Sequence, residues 1–314
     1  MERIGLFEGL TTEERAVAHA ALKPYVIGAD EDLLHIGEAD RSLLIVVEGE
    51  LLVSLEGQEL ARVRAGDVVG EMTLFGTFDQ RSATVTSTVE PTKLLILDED
   101  ALRFLRVQSN PMVGNLEAYA YRELYRRVQA MEARLAGLTD PEPMPSASLF
   151  GRIARALAVT AAPGALDALQ TVPGFASRDR EALSAVAAQF SVVGAARGAA
   201  VITRGAPMTG LYMVAEGTFG VWRKADRVPS KAAELGPGHV FGRVGSTLKE
   251  VATSTVHALE PGWLIHLPWE VALDLELGMS PESSTFRRGM IDALSIQLRM
   301  MNGLFLSKMQ HADP

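Results

Sequence analysis

Gly37-Glu38-Ala39-Asp40-Arg41-Ser42-Leu43-Leu44-Ile45-Val46-Val47-Glu48-Gly49-Glu50-Leu51 recurs, diverged, as Gly205-Ala206-Pro207-Met208-Thr209-Gly210-Leu211-Tyr212-Met213-Val214-Ala215-Glu216-Gly217-Thr218-Phe219. In both stretches a Gly-led turn feeds an apolar run, and a Glu-Gly turn then feeds a second run, which is the pattern of a β-hairpin. The match extends in both directions, so the chain reads as a tandem array. Arg64-Ala65-Gly66-Asp67-Val68 corresponds to Gly236-Pro237-Gly238-His239-Val240, each a turn entering a strand. Alternating runs follow, Ala83-Thr84-Val85-Thr86-Ser87 and Lys93-Leu94-Leu95-Ile96-Leu97 in the first copy. Ala252-Thr253-Ser254-Thr255-Val256 and Trp263-Leu264-Ile265-His266-Leu267 stand in the second. Many short strands punctuated by Gly and Asp turns predict an antiparallel barrel or jelly roll in each copy.

Helical patterns flank both copies. Thr11-Thr12-Glu13-Glu14 has the form of an N-cap ahead of a short helix, and Ser177-Arg178-Asp179-Arg180-Glu181 plays the same part later. Residues 115–138 and 284–309 are helical by composition and spacing. Between the copies, Asp140-Pro141-Glu142-Pro143-Met144-Pro145 reads as a linker, and the Ala-rich stretch 151–170 as helix broken at Pro163-Gly164. The expected organisation is a first domain over 1–138, a linker with helical segment over 139–170, and a second domain over 171–314. The expected class is mainly β with flanking helices, as two tandem β-roll or jelly-roll domains.

The length of 314 residues agrees with two domains. A net charge of −9 and a pI near 5.3 argue against a surface for nucleic acid. The chain has no cysteine, hence no disulfide or thiolate chemistry. The start, Met1-Glu2-Arg3-Ile4-Gly5, lacks the apolar core of a signal peptide, and no apolar run is long enough for a membrane span. These features predict a soluble, cytoplasmic protein. The six histidines, His19, His35, His239, His257, His266 and His311, show no metal spacing. No nucleophile elbow or P-loop is present, so neither a metal, a catalytic cofactor nor an enzymatic activity is expected.

The chemistry concentrates in Val69-Gly70-Glu71-Met72-Thr73-Leu74-Phe75, followed by Arg81-Ser82-Ala83. Gly70 permits close backbone approach to a ligand. Glu71 can accept hydrogen bonds from sugar hydroxyls. The residues after it offer free N–H groups if they open a helix. Arg81 carries a planar fork suited to phosphate. An acid for a ribose beside an Arg for a phosphate points to a nucleotide with one compact negative charge.

This stretch resembles the phosphate-binding cassette of the cyclic-nucleotide-binding domain family, which includes bacterial catabolite activators and kinase regulatory subunits. The family pattern is roughly Phe-Gly-Glu-aliphatic-Ala-Leu, a variable turn, then Arg-(Ala/Ser/Thr)-Ala. Here Val69 replaces Phe and Thr73 replaces Ala. The resemblance covers most of the chain apart from about 139–170. It implies that Arg81 and Ser82 bind a cyclic phosphate with the amides of Met72, Thr73 and Leu74, and that Glu71 and the Gly70 backbone hold the ribose 2′-OH. Ser82 after Arg81 resembles cAMP-binding bacterial members, whereas a Thr there often accompanies cGMP, so cAMP is expected over cGMP. The family often reads its base from the helix after the barrel; Gln129 and Glu132 stand in that stretch, either as base contacts or as helix-surface residues.

The second copy lacks this chemistry. Aligned by sequence, Phe241-Gly242 matches Val69-Gly70, Arg243 stands at Glu71 and Glu250 at Arg81. With both charges inverted, it is not expected to bind cyclic nucleotide in the family's manner, and Arg243 and Glu250 could instead pair and fill the pocket. The family's usual outputs need segments this sequence lacks, so the expected output is an unidentified protein partner or self-association. Leu116, Leu124, Val128, Met131 and Leu135, or Met290, Leu294, Leu298, Met301, Leu304 and Phe305, are apolar stripes that could pack on their own barrels or form a homo-oligomer. Two functions follow: a cyclic-nucleotide receptor acting through its first domain, or a ligand-independent scaffold of tandem barrels.

Overall fold

The computed structural model describes residues 5–138, 162–225, 228–242 and 251–312, and they fall into two units that divide between Tyr121 and Arg122. The linker over 140–145, residues 151–161 of the Ala-rich stretch, and Arg243 and Glu250 with their expected pairing lie outside the described residues.

In the first unit, α1 (Thr12–Ala21) precedes eight strands: β1 (Lys23–Ile27), β2 (Asp32–Leu34), β3 (Leu43–Glu48), β4 (Glu50–Leu55), β5 (Gln58–Arg64), β6 (Val68–Val69), β7 (Thr84–Ser87) and β8 (Thr92–Leu97). A short helix, α2 (Glu71–Leu74), interrupts them, and α3 (Glu99–Val107) and the start of α4 (Met112–Gly137) follow. The capping pattern is realised at α1: the Glu14 N–H donates to Thr11 Oγ1 at 3.2 Å and the Thr11 N–H to Glu14 Oε2 at 2.8 Å. The strands form two antiparallel sheets in the orders β1-β8-β3-β6 and β2-β7-β4-β5, the arrangement of a jelly roll. In β3, Leu44 and Val46 enter the core with Leu51, Val53, Val63, Val69, Val85 and Leu94. Leu43 and Ile45 are buried on the opposite face, which explains an unbroken apolar run where alternation would otherwise show.

The second unit repeats the plan. It holds α5 (Ala165–Thr171), α6 (Pro173–Ala176), α7 (Arg180–Ala187), β9 (Ser191–Ala195), β10 (Ala200–Ile202), β11 (Gly210–Glu216) and β12 (Phe219–Ala225). β13 (Val228–Leu235), β14 (Val240–Gly242), β15 (Ser254–Ala258), β16 (Gly262–Pro268), α8 (Trp269–Leu277) and α9 (Pro281–Ala312) complete it. Its sheets run β14-β11-β16-β9 and β10-β15-β12-β13, the first unit's order with every strand number raised by eight. The later helix is capped by Asp179, whose side chain accepts from the Ala182 N–H.

The apolar stripes, for which packing within the chain and homo-oligomerisation were the alternatives, are mostly interior. Leu116 is buried in the first unit; Leu124, Val128, Met131 and Leu135, and on α9 Met290, Leu294, Leu298, Met301 and Phe305, are buried in the second. Packing within the chain has claimed these faces, and only Leu304 of the named residues remains exposed, near exposed Met300. Among the described residues, no helix is long and apolar enough to cross a membrane, and no cluster of three or more His, Asp or Glu side chains could hold a metal.

Candidate functional site

The first barrel brings Gly70, Met72, Thr73, Arg81 and Ser82 together at the β6–α2 corner and the loop before β7. Gly70 has φ +98°, the left-handed region that only glycine enters freely. A Cβ there would lie 2.4 Å from the Ser42 carbonyl oxygen and 2.8 Å from Arg81 Nη1. Gly70→Ala should therefore cost the first unit about 2–5 kcal/mol through backbone strain and overlap. Chemical denaturation measures this, and an unchanged midpoint would show that the corner relaxes freely.

Arg81 is 4% exposed. Its Nη1 donates to Thr73 Oγ1 at 2.6 Å and to the Gly70 carbonyl at 3.4 Å. Its Nη2 donates to Asp40 Oδ2 at 2.5 Å, to the Ser42 carbonyl at 2.7 Å and to Ser42 Oγ at 3.0 Å. The Nε is buried and has no hydrogen-bond partner. The fork is thus held rigidly, with one donor unspent. The hydroxyl of Thr73, present where the family pattern has Ala, is one of the groups that holds it. Glu71 is buried at the start of α2, and Ser82 Oγ donates to Met72 Sδ at 3.6 Å. The Leu74 N–H donates to the Gly70 carbonyl at 3.2 Å, so of the three amides expected in the anion nest this one already serves α2. Asp40 and Ser42 were not singled out from sequence. They lie in the turn before β3, and nothing local marks a residue there as the partner of an Arg some forty positions on.

The second barrel differs at the positions of Asp40, Ser42 and Arg81, and the backbone fixes the correspondence. In the first unit the Gly37 N–H donates to the Arg81 carbonyl and the Arg81 N–H to the Glu38 carbonyl, both at 2.9 Å. In the second, the Gly205 N–H donates to the Ala252 carbonyl at 2.8 Å and the Ala252 N–H to the Ala206 carbonyl at 2.9 Å. Val53 faces Val85, and Val221 faces Val256. Ala252, not Glu250, therefore occupies the place of Arg81, and the sequence alignment was two residues out of step. Around it, Gly242 stands for Gly70 with φ +112°, Gly210 for Ser42 and Met208 for Asp40. The guanidinium and its side-chain partners at 40 and 42 are all lost.

Gln129 and Glu132, read from sequence either as base contacts or as helix-surface residues, line a cavity of about 210 Å³ within the second unit. This follows from α4: its residues from Arg122 onward belong to that unit. Tyr125 Oη donates to the Gly242 carbonyl at 2.5 Å, and Arg223 Nη2 donates to Glu132 Oε2 at 3.0 Å. Burial pushes the Glu132 carboxyl above its ordinary range, partly offset by Arg223. Burial also pushes His239 and His266 below the ordinary imidazole value of 6.5. A depressed histidine stays neutral in the fold while the unfolded chain takes up the proton, so stability is present above the unfolded value and is lost as pH falls through the folded one. The second unit should thus lose stability below about pH 6.5. Melting midpoints between pH 7.5 and 5 read this out, with a shallower fall in His239→Gln; an identical fall in the variant would remove His239 as a cause.

Comparison with known proteins agrees with the duplication. The sequence model of the cyclic nucleotide-binding domain matches residues 26–109 and 192–275, together more than half of the chain. Among solved structures, the guanosine-bound regulatory subunit of a cAMP-independent protein kinase A from Trypanosoma cruzi is 21% identical, over 88% of this chain and 81% of that one, with a TM-score of 0.30. The regulatory domain of Toxoplasma gondii protein kinase A with cAMP is 18% identical, over 90% and 91%, with a TM-score of 0.31. The catabolite activator protein of Thermus thermophilus is 28% identical, over 42% and 68%, with a TM-score of 0.33. No curated protein matches.

Proposed function

Because this chain belongs to the cyclic nucleotide-binding domain family, we propose that its first barrel is a receptor for a 3′,5′-cyclic nucleotide, cAMP in preference to cGMP. The second barrel does not take that ligand in the same way. The observation that carries this reading is the asymmetry between the barrels: a buried, oriented Arg81 in one and Ala252 in the other. The cyclic phosphate meets Arg81 and Ser82 with the amides of Met72 and Thr73, while Glu71 and the Gly70 backbone take the ribose hydroxyl. The protein is regulatory rather than catalytic. Its output is a protein partner or a second copy of the chain, engaged when nucleotide binding shifts the population of cassette conformations. The domain limits 1–138, 139–170 and 171–314 belong to the same reading, as does a cytoplasmic location.

One observation favours the scaffold reading. Both terminal nitrogens of Arg81 are already satisfied by protein acceptors, and Asp40 offsets the charge a phosphate would seek. A phosphate must therefore compete with Asp40 or use the unspent Nε. Hydrogen exchange with and without cAMP decides between the readings. The receptor predicts protection of the amides at 69–75 and 81–83 and none at 240–242 and 251–256. Absence of protection in the first cassette favours the scaffold.

A further inference from the structure

The first barrel meets Arg81 with an acid of its own. Asp40 Oδ2 accepts from Arg81 Nη2 at 2.5 Å and from Ser42 Oγ at 2.9 Å. Arg81 is buried, whereas the Asp40 side chain is 39% exposed. A guanidinium buried without a counter-charge is costly, and Asp40 supplies that charge. Acid and cation are also lost together: Met208 and Ala252 stand at their places in the second barrel.

This pairing bears on the charge of the ligand. Any phosphate that reaches Arg81 arrives beside a carboxylate. The pair is neutral as a whole, so Arg81 holds an anion by the hydrogen bonds of its fork more than by long-range attraction. Repulsion from Asp40 grows with each negative charge the ligand brings. A cyclic phosphodiester has no second ionisable hydroxyl and carries a single charge. A phosphate monoester carries about −1.5 to −2 at pH 7. The extra charge finds no second cation at this corner. Arg41, next to Asp40 in sequence, is engaged by Asp79 at 3.2 Å and Glu99 at 3.5 Å. Glu71, buried at the start of α2, adds an acid.

We propose that Asp40 is a specificity-determining residue that admits a singly charged cyclic phosphate and turns away a doubly charged monoester. The first barrel thereby separates cAMP from AMP by charge as well as by ring closure. Asp40 acts in this way within the receptor reading of that barrel, on which its role rests.

The test is calorimetric titration of the full chain with cAMP, and with AMP up to millimolar concentration, in the native chain and three variants. Asp40→Asn and Asp40→Ser remove the charge and leave an oxygen acceptor for Arg81; both are confirmed folded by their melting midpoints. Asp40→Glu keeps the charge. In the neutral variants cAMP should gain about three- to tenfold and AMP about ten- to a hundredfold, so the preference for cAMP narrows by roughly threefold or more. Asp40→Glu should retain the native preference. A purely structural role for Asp40 would shift both ligands alike and leave the preference where it was. An unchanged preference in both neutral variants, an equal narrowing in Asp40→Glu, or AMP still excluded from both neutral variants while cAMP binds would overturn the proposal and leave the receptor reading standing. No heat with cAMP in the native chain or in any variant would overturn both.

Discussion

Arg81→Ala is expected to reduce cyclic-nucleotide affinity by at least ten- to a hundredfold, the effect of about 1.5–3 kcal/mol of charge-assisted hydrogen bonding. The argument rests on where the side chain is held. Arg81 reaches the corner of α2 through Thr73 and the Gly70 carbonyl, and the turn before β3 through Asp40 and Ser42. Its removal deletes the cation for the phosphate and also unties the two segments that shape the pocket. The variant should therefore lose stability in the first unit as well as affinity. Arg81→Lys separates the two effects: an ammonium restores charge but cannot span Thr73 and Asp40 with a planar fork. An affinity of the Arg81→Lys variant within about threefold of the native chain would show that charge alone suffices.

The largest expected effect on stability alone lies elsewhere. Arg287 on α9 is 1% exposed, and its Nη1 donates to the carbonyls of Leu275 at 3.3 Å, Glu276 at 3.1 Å and Gly278 at 2.5 Å. These belong to the end of α8, where helix carbonyls lack intrahelical partners. Arg287→Ala would leave them without this donor inside the protein, and would also leave a void the size of a long side chain. A loss of about 3–5 kcal/mol is expected, in line with removing one member of a buried ionic or hydrogen-bonded set. Urea denaturation monitored through the tryptophans, Trp222, Trp263 and Trp269, all in the second unit, measures it. A loss below about 1 kcal/mol would mean that water replaces the guanidinium.

These two arginines show what sequence could and could not reveal. Arg81 was legible because it lies a short turn beyond Gly70-Glu71, a spacing set by one local corner. Arg287, within Phe286-Arg287-Arg288-Gly289, reads as a charged helix-surface residue, and only tertiary packing turns it inward. The repeated hairpin and its Gly turns were legible for the same local reason, and both barrels follow from them. The alignment of the second cassette was not. Ala83-Thr84-Val85-Thr86-Ser87 superposes well on Ala252-Thr253-Ser254-Thr255-Val256, yet Val85 corresponds to Val256. A slip of two residues in a strand leaves every side chain on its original face, so alternation cannot detect it. Asp40 and Met208 escaped because their roles depend on contacts distant in sequence, with no periodic signal.

The asymmetry between Arg81 and Ala252 makes a stoichiometric claim, and calorimetric titration of the whole chain with cAMP and with cGMP tests it most directly. The account predicts one equivalent of cyclic nucleotide, cAMP bound more tightly than cGMP. Two equivalents of either nucleotide, or no heat with both, would contradict it.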